Sequence, residues 1–261
     1  MCRHVAYLGP PVALSRLLYD PPHSLARQSW APRDMRGGGT INADGFGVGW
    51  LPTAGERAVT YRRVCPLWAD ADLPGLAAVT ASRSVLAAVR SATEGMPVTE
   101  AACAPFTDGR WLFSHNGAIV GWPDSVTALA GALPVRDLLT LPAPTDSALL
   151  WALVRARLRA GAPPARALSE TVADVATAAP GSRLNLLLLG ADIIAATTYG
   201  HALSVRVGGG AAVVSSEPLD PDPDWRLVPD GSLVVAATDA LRVVELSPTP
   251  PSALTHTREL P

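Results

Sequence analysis

Strand-sized apolar runs, each closed by Gly, Pro or Asp, lie on both sides of one helical stretch, and that order restricts the folds open to this chain. Residues 5–8, 46–51, 59–64, 85–90 and 111–114 precede the helical stretch; residues 184–189, 193–199, 202–207, 211–215, 233–237 and 241–246 follow it. Between them, Leu149, Leu150, Leu153, Val154 and Leu158 recur at intervals of three and four, as do Leu168, Val172 and Val175. These spacings predict amphipathic helices over 146–159 and 165–178, joined through Gly161-Ala-Pro-Pro164. A shorter helix is expected over 12–19, with Pro10 and Pro11 supplying its first turn. Strands, then helices, then strands argue for a layered α+β domain rather than alternating βαβ units. With 261 residues, 48% of them hydrophobic, the chain can bury one large core, so a single domain over 2–261 is expected. The prolines at 248, 250 and 251 predict an extended C-terminal tail.

Composition removes several chemistries. The chain has 21 arginines and no lysine. Schiff-base catalysis, phosphate-loop NTPases and Ser–Lys hydrolysis each need an ammonium at a set place, so none is available. Cys2, Cys65 and Cys103 are odd in number and far apart, which fits neither a disulfide framework nor a zinc-ligand pair and points to a reducing compartment. A net charge of −2 offers no field for nucleic acid, and Arg155, Arg157 and Arg159 read as a solvated helix face. Pro10 and Pro11 end the first apolar stretch too early for a secretory signal. The longest apolar stretch, 184–196, is interrupted by Asn185, Gly190 and Asp192 and is too short to span a bilayer. A cytoplasmic protein with neither membrane nor nucleic-acid partner is expected.

Five segments carry functional residue types. Met1 is trimmed when the next residue is small, which would leave Cys2 with a thiol and a free α-amine on one Cα, nucleophile and base together; a small buried residue in a first strand is the alternative. Asn42-Ala-Asp-Gly-Phe-Gly-Val-Gly-Trp50 lacks the spacing of a dinucleotide turn and reads as a glycine-rich strand that lets another backbone or a ligand approach. In Val89-Arg-Ser-Ala-Thr-Glu-Gly95, Arg90 ends a strand with a planar fork suited to a carboxylate or to a structural salt bridge. Phe113-Ser-His-Asn-Gly-Ala-Ile119 runs a strand into a turn at Asn116-Gly117, whose amide and N–H can form an oxyanion hole or simply a hairpin turn. Asp146, in Pro144-Thr-Asp-Ser147, either caps a helix or presents a carboxylate to an ammonium.

Taken in order, these segments resemble the class II glutamine amidotransferases of the N-terminal-nucleophile hydrolases, over roughly residues 2–150. The opening Cys2-Arg-His-Val, then Gln28-Ser-Trp-Ala-Pro32, Arg183-Leu-Asn-Leu186, Thr198-Tyr-Gly200, Ser215-Ser-Glu-Pro-Leu-Asp220, Trp225 and Val228-Pro-Asp-Gly231 resemble the branch that hydrolyses γ-glutamyl-hercynylcysteine sulfoxide in ergothioneine biosynthesis. The resemblance implies a four-layer αββα sandwich of two antiparallel sheets. It implies Cys2 as nucleophile, Asn116 and Gly117 as oxyanion hole, Arg90 and Thr93 as the grip on the substrate α-carboxylate, and Asp146 as partner of its α-ammonium. No metal, no cofactor and no obligatory protein partner is implied. A glutaminase subunit feeding ammonia to a synthetase and a γ-glutamyl peptidase acting on glutathione use the same site and stay open.

Some positions depart from the pattern. Glu94 and Ala148 stand where relatives often carry other residues, as does Ala102 in Ala102-Cys-Ala-Pro-Phe106. Cys65 and Cys103 are expected as core thiols, and alternation along the strand should turn His115 away from Asn116. Trp30, Trp50, Trp68 and Trp122 are all available to line a leaving-group pocket, and none is favoured.

Overall fold

The computed structural model describes residues 2–36, 41–52 and 57–246. In chain order the elements are β1 (Arg3–Ala13), α1 (Ser15–Leu18), α2 (Leu25–Gln28), β2 (Phe46–Leu51), β3 (Val59–Arg63), α3 (Leu73–Val79), β4 (Ala81–Val89), β5 (Phe106–Thr107), β6 (Leu112–Ala118), α4 (Thr127–Gly131), α5 (Val135–Leu139), α6 (Asp146–Arg159), α7 (Pro164–Ala178), β7 (Arg183–Leu189), β8 (Ile194–Thr198), β9 (Ser204–Gly208), β10 (Ala211–Ser215), β11 (Arg226–Leu227), β12 (Ser232–Ala236) and β13 (Leu241–Glu245). They build one sheet in the order β11-β9-β10-β1-β4-β2-β3 and a second in the order β13-β12-β8-β7-β6-β5. Every neighbouring pair is antiparallel.

Alternation sorts each strand's side chains onto two faces. In β1, Val5 and Tyr7 pack under α1, α2 and α3, while Ala6 and Leu8 point into a core between the sheets. In β6, Leu112 enters that same central core and Phe113 turns to α6 and α7, where it stacks on Trp151 at 5.5 Å between ring centroids. Burial of Trp151, 2% exposed, stabilises this layer by roughly 2–3 kcal/mol, and the stack adds about 1 kcal/mol. Helices, sheet, sheet and helices follow one another, so the fold is the α+β, four-layer αββα sandwich expected above.

The glycines of β2 explain how close the layers sit. Gly47 and Gly49 face the second sheet; a Cβ on Gly47 would lie 2.3 Å from the Ala104 carbonyl oxygen, and one on Gly49 would lie 2.7 Å from Leu112 and from Pro105. The Ala104 backbone therefore uses the close approach at Gly47, and the Leu112 and Pro105 side chains use it at Gly49.

Three expectations change. The helix over 12–19 shrinks to Ser15–Leu18, because Val12 and Ala13 pair with Ser82 and Ala81 in β4. Pro10 and Pro11 fall at the shift of register between Leu8 and Val12, where missing N–H groups cost the ladder nothing. Asn116-Gly117 is not a turn: β6 runs through it, pairing Asn116 with Asn185 and Gly117 with Leu184. The arginines of α6 are not a solvated face. Arg155 and Arg159 both bond Asp137, which is 4% exposed, and Arg157 reaches Glu170 and Asp174 of α7. The expected C-terminal tail lies outside the described residues.

Candidate active site

β1 occupies the middle of its sheet, between β10 and β4, and Cys2 leads directly into it. The register that pairs Arg3 with Val89 brings Cys2 opposite Arg90, and the Cys2 Sγ lies 4.0 Å from the Ser91 carbonyl oxygen. Cys2 and His4 share the face of Ala6, toward the second sheet. β6 runs the opposite way across the gap, turning Leu112, Ser114 and Asn116 toward β1. The His4 Nδ1 meets the Ser114 Oγ at 3.2 Å and levels the two strands. By the same alternation, Cys2 and Asn116 are the next inward-facing positions beyond His4 and Ser114.

Asn116 is fully buried, yet neither end of its amide has a hydrogen-bond partner among the described residues. Its cross-strand neighbour Asn185 is the reverse case. The Asn185 Oδ1 accepts from the Tyr199 and His201 N–H groups, and its Nδ2 donates to the His201 and Ala202 carbonyls. Asn185 is a backbone joint, whereas Asn116 keeps its amide free. Gly117 has no room for a side chain, since a Cβ would lie 1.8 Å from the Arg183 carbonyl oxygen.

Burial, with a smaller contribution from Asp146, pushes the Cys2 thiol up, against the pull of the Ser91 backbone and Arg90. A thiol held in its neutral form needs a proton acceptor within reach before it can attack. A narrow pocket opens beside it, bordered by Arg90, Phe46, Phe106, Ser114, His115 and Ser147 among others. Its aromatic members are thus Phe46 and Phe106 and none of the four tryptophans weighed from the sequence.

Arg90 is half-buried, with Nη1 donating to the Pro97 carbonyl at 2.8 Å and its own backbone bonded to Gly45 and Asp44. Thr93 stands exposed on the turn that follows. Asp146 is 6% exposed and is not the helix cap; that is Thr145, whose Oγ1 accepts from the Ala148 N–H. The Asp146 carboxylate accepts from the Ile119 N–H at 3.1 Å and the Ser147 N–H at 2.7 Å, tying the start of α6 to the end of β6. Of the residues named from the sequence, Arg90 and Asp146 lie close enough to act on Cys2, while Thr93 is exposed after Arg90.

His115 turns away from Asn116, as alternation predicted: its ring bonds the Ser147 Oγ and the Arg183 carbonyl, each at 2.9 Å. Cys103 is a core thiol, fully buried and pushed up to about 11 chiefly by burial; Cys65 is half-buried against the outer helical core.

Sequence reasoning missed the joint beneath the nucleophile. Glu217, 3% exposed, accepts from His23 Nε2 at 2.6 Å, from the Arg33 N–H at 2.9 Å and from the Asp34 N–H at 3.2 Å, and pairs with Arg3 at 3.3 Å. Gln28 Nε2 donates to the His23 and Glu217 carbonyls. Burial alone would raise the Glu217 carboxyl, but these donors hold it below its ordinary value. The signal was present: Arg3, Gln28 and Glu217 belong to three separate segments of the resemblance, and they converge in space.

No family model matches the chain. It is 43% identical over 234 residues to the γ-glutamyl-hercynylcysteine sulfoxide hydrolase of Mycolicibacterium smegmatis, across 90% of this chain and 95% of that protein. The protein of the same name from Mycobacterium tuberculosis is 41% identical, across 90% and 92%. Among solved structures, a glutamine aminotransferase class-II domain protein from Silicibacter pomeroyi matches with a TM-score of 0.66 and 23% identity, across 94% of this chain and all of that one. The glutamine phosphoribosylpyrophosphate amidotransferase of Bacillus subtilis matches with the same score at 17% identity, across 94% and 49%. These two likenesses are of fold. Identity above 40% across nearly the whole length of the mycobacterial proteins is of family, and this chain belongs to the γ-glutamyl-hercynylcysteine sulfoxide hydrolases.

Proposed function

We propose that this protein hydrolyses the γ-glutamyl amide of γ-glutamyl-hercynylcysteine sulfoxide, releasing glutamate and hercynylcysteine sulfoxide in ergothioneine biosynthesis. The observation that supports the chemistry is the buried, unpartnered amide of Asn116, the inward-facing position that follows Ser114 on β6. Native proteins rarely leave both ends of a buried amide unpaired, and a developing oxyanion is a partner that its Nδ2 donor end suits. Among the described residues no helix is long and apolar enough to cross a membrane. The enzyme is read as cytoplasmic, acting on a small molecule without an obligatory protein partner.

Catalysis proceeds in two acyl transfers. With Met1 removed, the α-amine of Cys2 takes the thiol proton and the sulfur attacks the γ-carbonyl carbon. Asn116 Nδ2 and the Gly117 N–H receive the oxyanion, the ammonium returns its proton to the leaving nitrogen, and a γ-glutamyl thioester forms as the C–N bond breaks. Water then cleaves the thioester, regenerating the thiol and freeing glutamate. Arg90 and Thr93 take the substrate α-carboxylate and Asp146 its α-ammonium, so recognition falls on the end that every γ-glutamyl compound shares.

The test offers the purified protein γ-glutamyl-hercynylcysteine sulfoxide, L-glutamine and glutathione separately and measures glutamate release. Turnover of the sulfoxide well above the other two is expected; rapid turnover of glutamine alone overturns the substrate assignment. Cys2→Ala is expected to fold and to release no glutamate, and retained turnover excludes Cys2 as nucleophile. Intact mass of the active protein should lack Met1, because a retained methionine removes the base.

A further inference from the structure

His4 is fully buried in the space between the sheets, one level behind Cys2. Its backbone is held by Ser216, the N–H donating to the Ser216 Oγ at 3.0 Å and the carbonyl accepting from the Ser216 N–H at 2.9 Å. Its ring is held at one point only, Nδ1 against the Ser114 Oγ. The other ring nitrogen, Nε2, is buried and has no partner among the described residues. Burial first, and then the nearby His115, His201 and Arg3, press its pKa down to about 3, so the imidazole is neutral at any physiological pH. A neutral imidazole carries one N–H. If the Ser114 hydroxyl donates to Nδ1, that N–H sits on Nε2.

Asn116 stands on the same strand as Ser114, two residues further along and on the same face. An oxyanion hole needs its amide in one orientation, Nδ2 toward the carbonyl oxygen that becomes the oxyanion and Oδ1 away from it. The flipped amide would set a carbonyl oxygen against the developing negative charge. Asn185 cannot hold that orientation, because both of its amide ends are already committed to four backbone groups.

We infer that His4 is a positioning residue for the oxyanion hole: its Nε2–H reaches the Asn116 Oδ1 through one water, and this turns the Asn116 Nδ2 toward the Cys2 site. The inference rests on the reading of Asn116 given above. Ser114 sets the tautomer, His4 sets the amide, and the amide meets the oxyanion. Because His4 acts on a group that matters only when negative charge develops, its loss falls on kcat and leaves KM near the parent value.

The experiment is a double-mutant cycle. His4→Leu and His4→Gln are each made in the parent and in Asn116→Ala, and kcat and KM for glutamate release from γ-glutamyl-hercynylcysteine sulfoxide are measured, with L-glutamine as second probe. In the parent, His4→Leu is expected to lower kcat by about 10- to 100-fold, less than the roughly 10²–10³-fold of losing the donor itself. His4→Gln, which keeps an N–H on a side chain of similar reach, is expected to recover most of that loss, and it serves as the reporting variant should His4→Leu not fold. In the Asn116→Ala background either change is expected to alter kcat by less than about twofold. A His4 effect of equal size in both backgrounds, or a rise in KM with kcat unchanged, overturns the positioning role. Full activity of Asn116→Ala by itself removes the oxyanion assignment, and that failure is seen in a different arm from the failure of His4.

Discussion

Asn116 and Gly117 are adjacent, yet the sequence and the structure define them differently. The string His115-Asn-Gly117 pointed to both residues but also to a hairpin turn, because Asn-Gly most often signals one. The structure makes Gly117 a strand residue whose need for hydrogen in place of Cβ comes from the Arg183 carbonyl of β7, a contact that no local pattern encodes. Gly117→Ala is therefore expected to push β6 from β7, lowering stability by about 1–3 kcal/mol or more and abolishing glutamate release. Urea unfolding of the variant beside the parent checks this, and an unchanged midpoint would contradict the close approach. Cys103 shows the converse: its role as a core thiol was readable from its separation from any metal or disulfide partner, and the structure adds only its contacts to Arg63 and Thr99.

Elements with a long apolar period were readable. β2 and β10 occupy the expected residues, and α6 spans 146–159 as its spacing required. The two-residue strands β5 and β11 and the short helices α2 to α5 carry too few residues to show a period, and tertiary packing alone defines them. The arginines of α6 looked solvated because a helix's own sequence does not reveal that α5 and α7 supply acidic partners. The same blindness hid Glu217, which bonds α2's flank, the following loop and β1 at once. Glu217→Ala leaves Arg3, 1% exposed, without its counter-charge and is expected to cost about 3–5 kcal/mol, whereas Glu217→Gln keeps the shape and costs less. Denaturant midpoints for both variants measure it; a loss under about 0.5 kcal/mol for the alanine form would show that the joint does not hold the strand.

At the scale of the whole molecule, the space between the sheets grades from apolar to polar as it approaches the open end: Ala6 and Leu112, then His4 and Ser114, then Cys2 and Asn116. Buried, neutral histidines, His4 between the sheets and His115 on the other face of β6 among them, make stability depend on pH. Burial lowers His4 and His201 to about 3, and it lowers His115 as well. An unfolded histidine titrates near ~6.5, so between these values the unfolded chain binds more protons than the folded one. Stability is complete above about pH 6.5 and falls as pH drops toward 3, by up to about 1.4 kcal/mol per pH unit for each such histidine. Glu217, held below its ordinary value, adds a loss of the same sign in the lower part of the window. A melting temperature that declines steadily from pH 7 to pH 4.5 is expected, and one that stays level would mean that these histidines are not held neutral.

The layered α+β class followed from the order of periods along the chain, because burial of alternate residues needs no knowledge of which strand lies beside which, and the αββα stacking was implied only by the family resemblance. The exclusions followed from composition: without lysine, no side-chain amine is present to act as nucleophile or base. Tertiary structure alone decided register, and with it which residues share a level. Register is a long-range quantity, set by how two sheets stack and by contacts such as His4 with Ser114 across 110 residues of sequence. The free amide of Asn116, the joint at Glu217 and the part assigned to His4 all depend on register, which is why none of them could be read from a segment by itself.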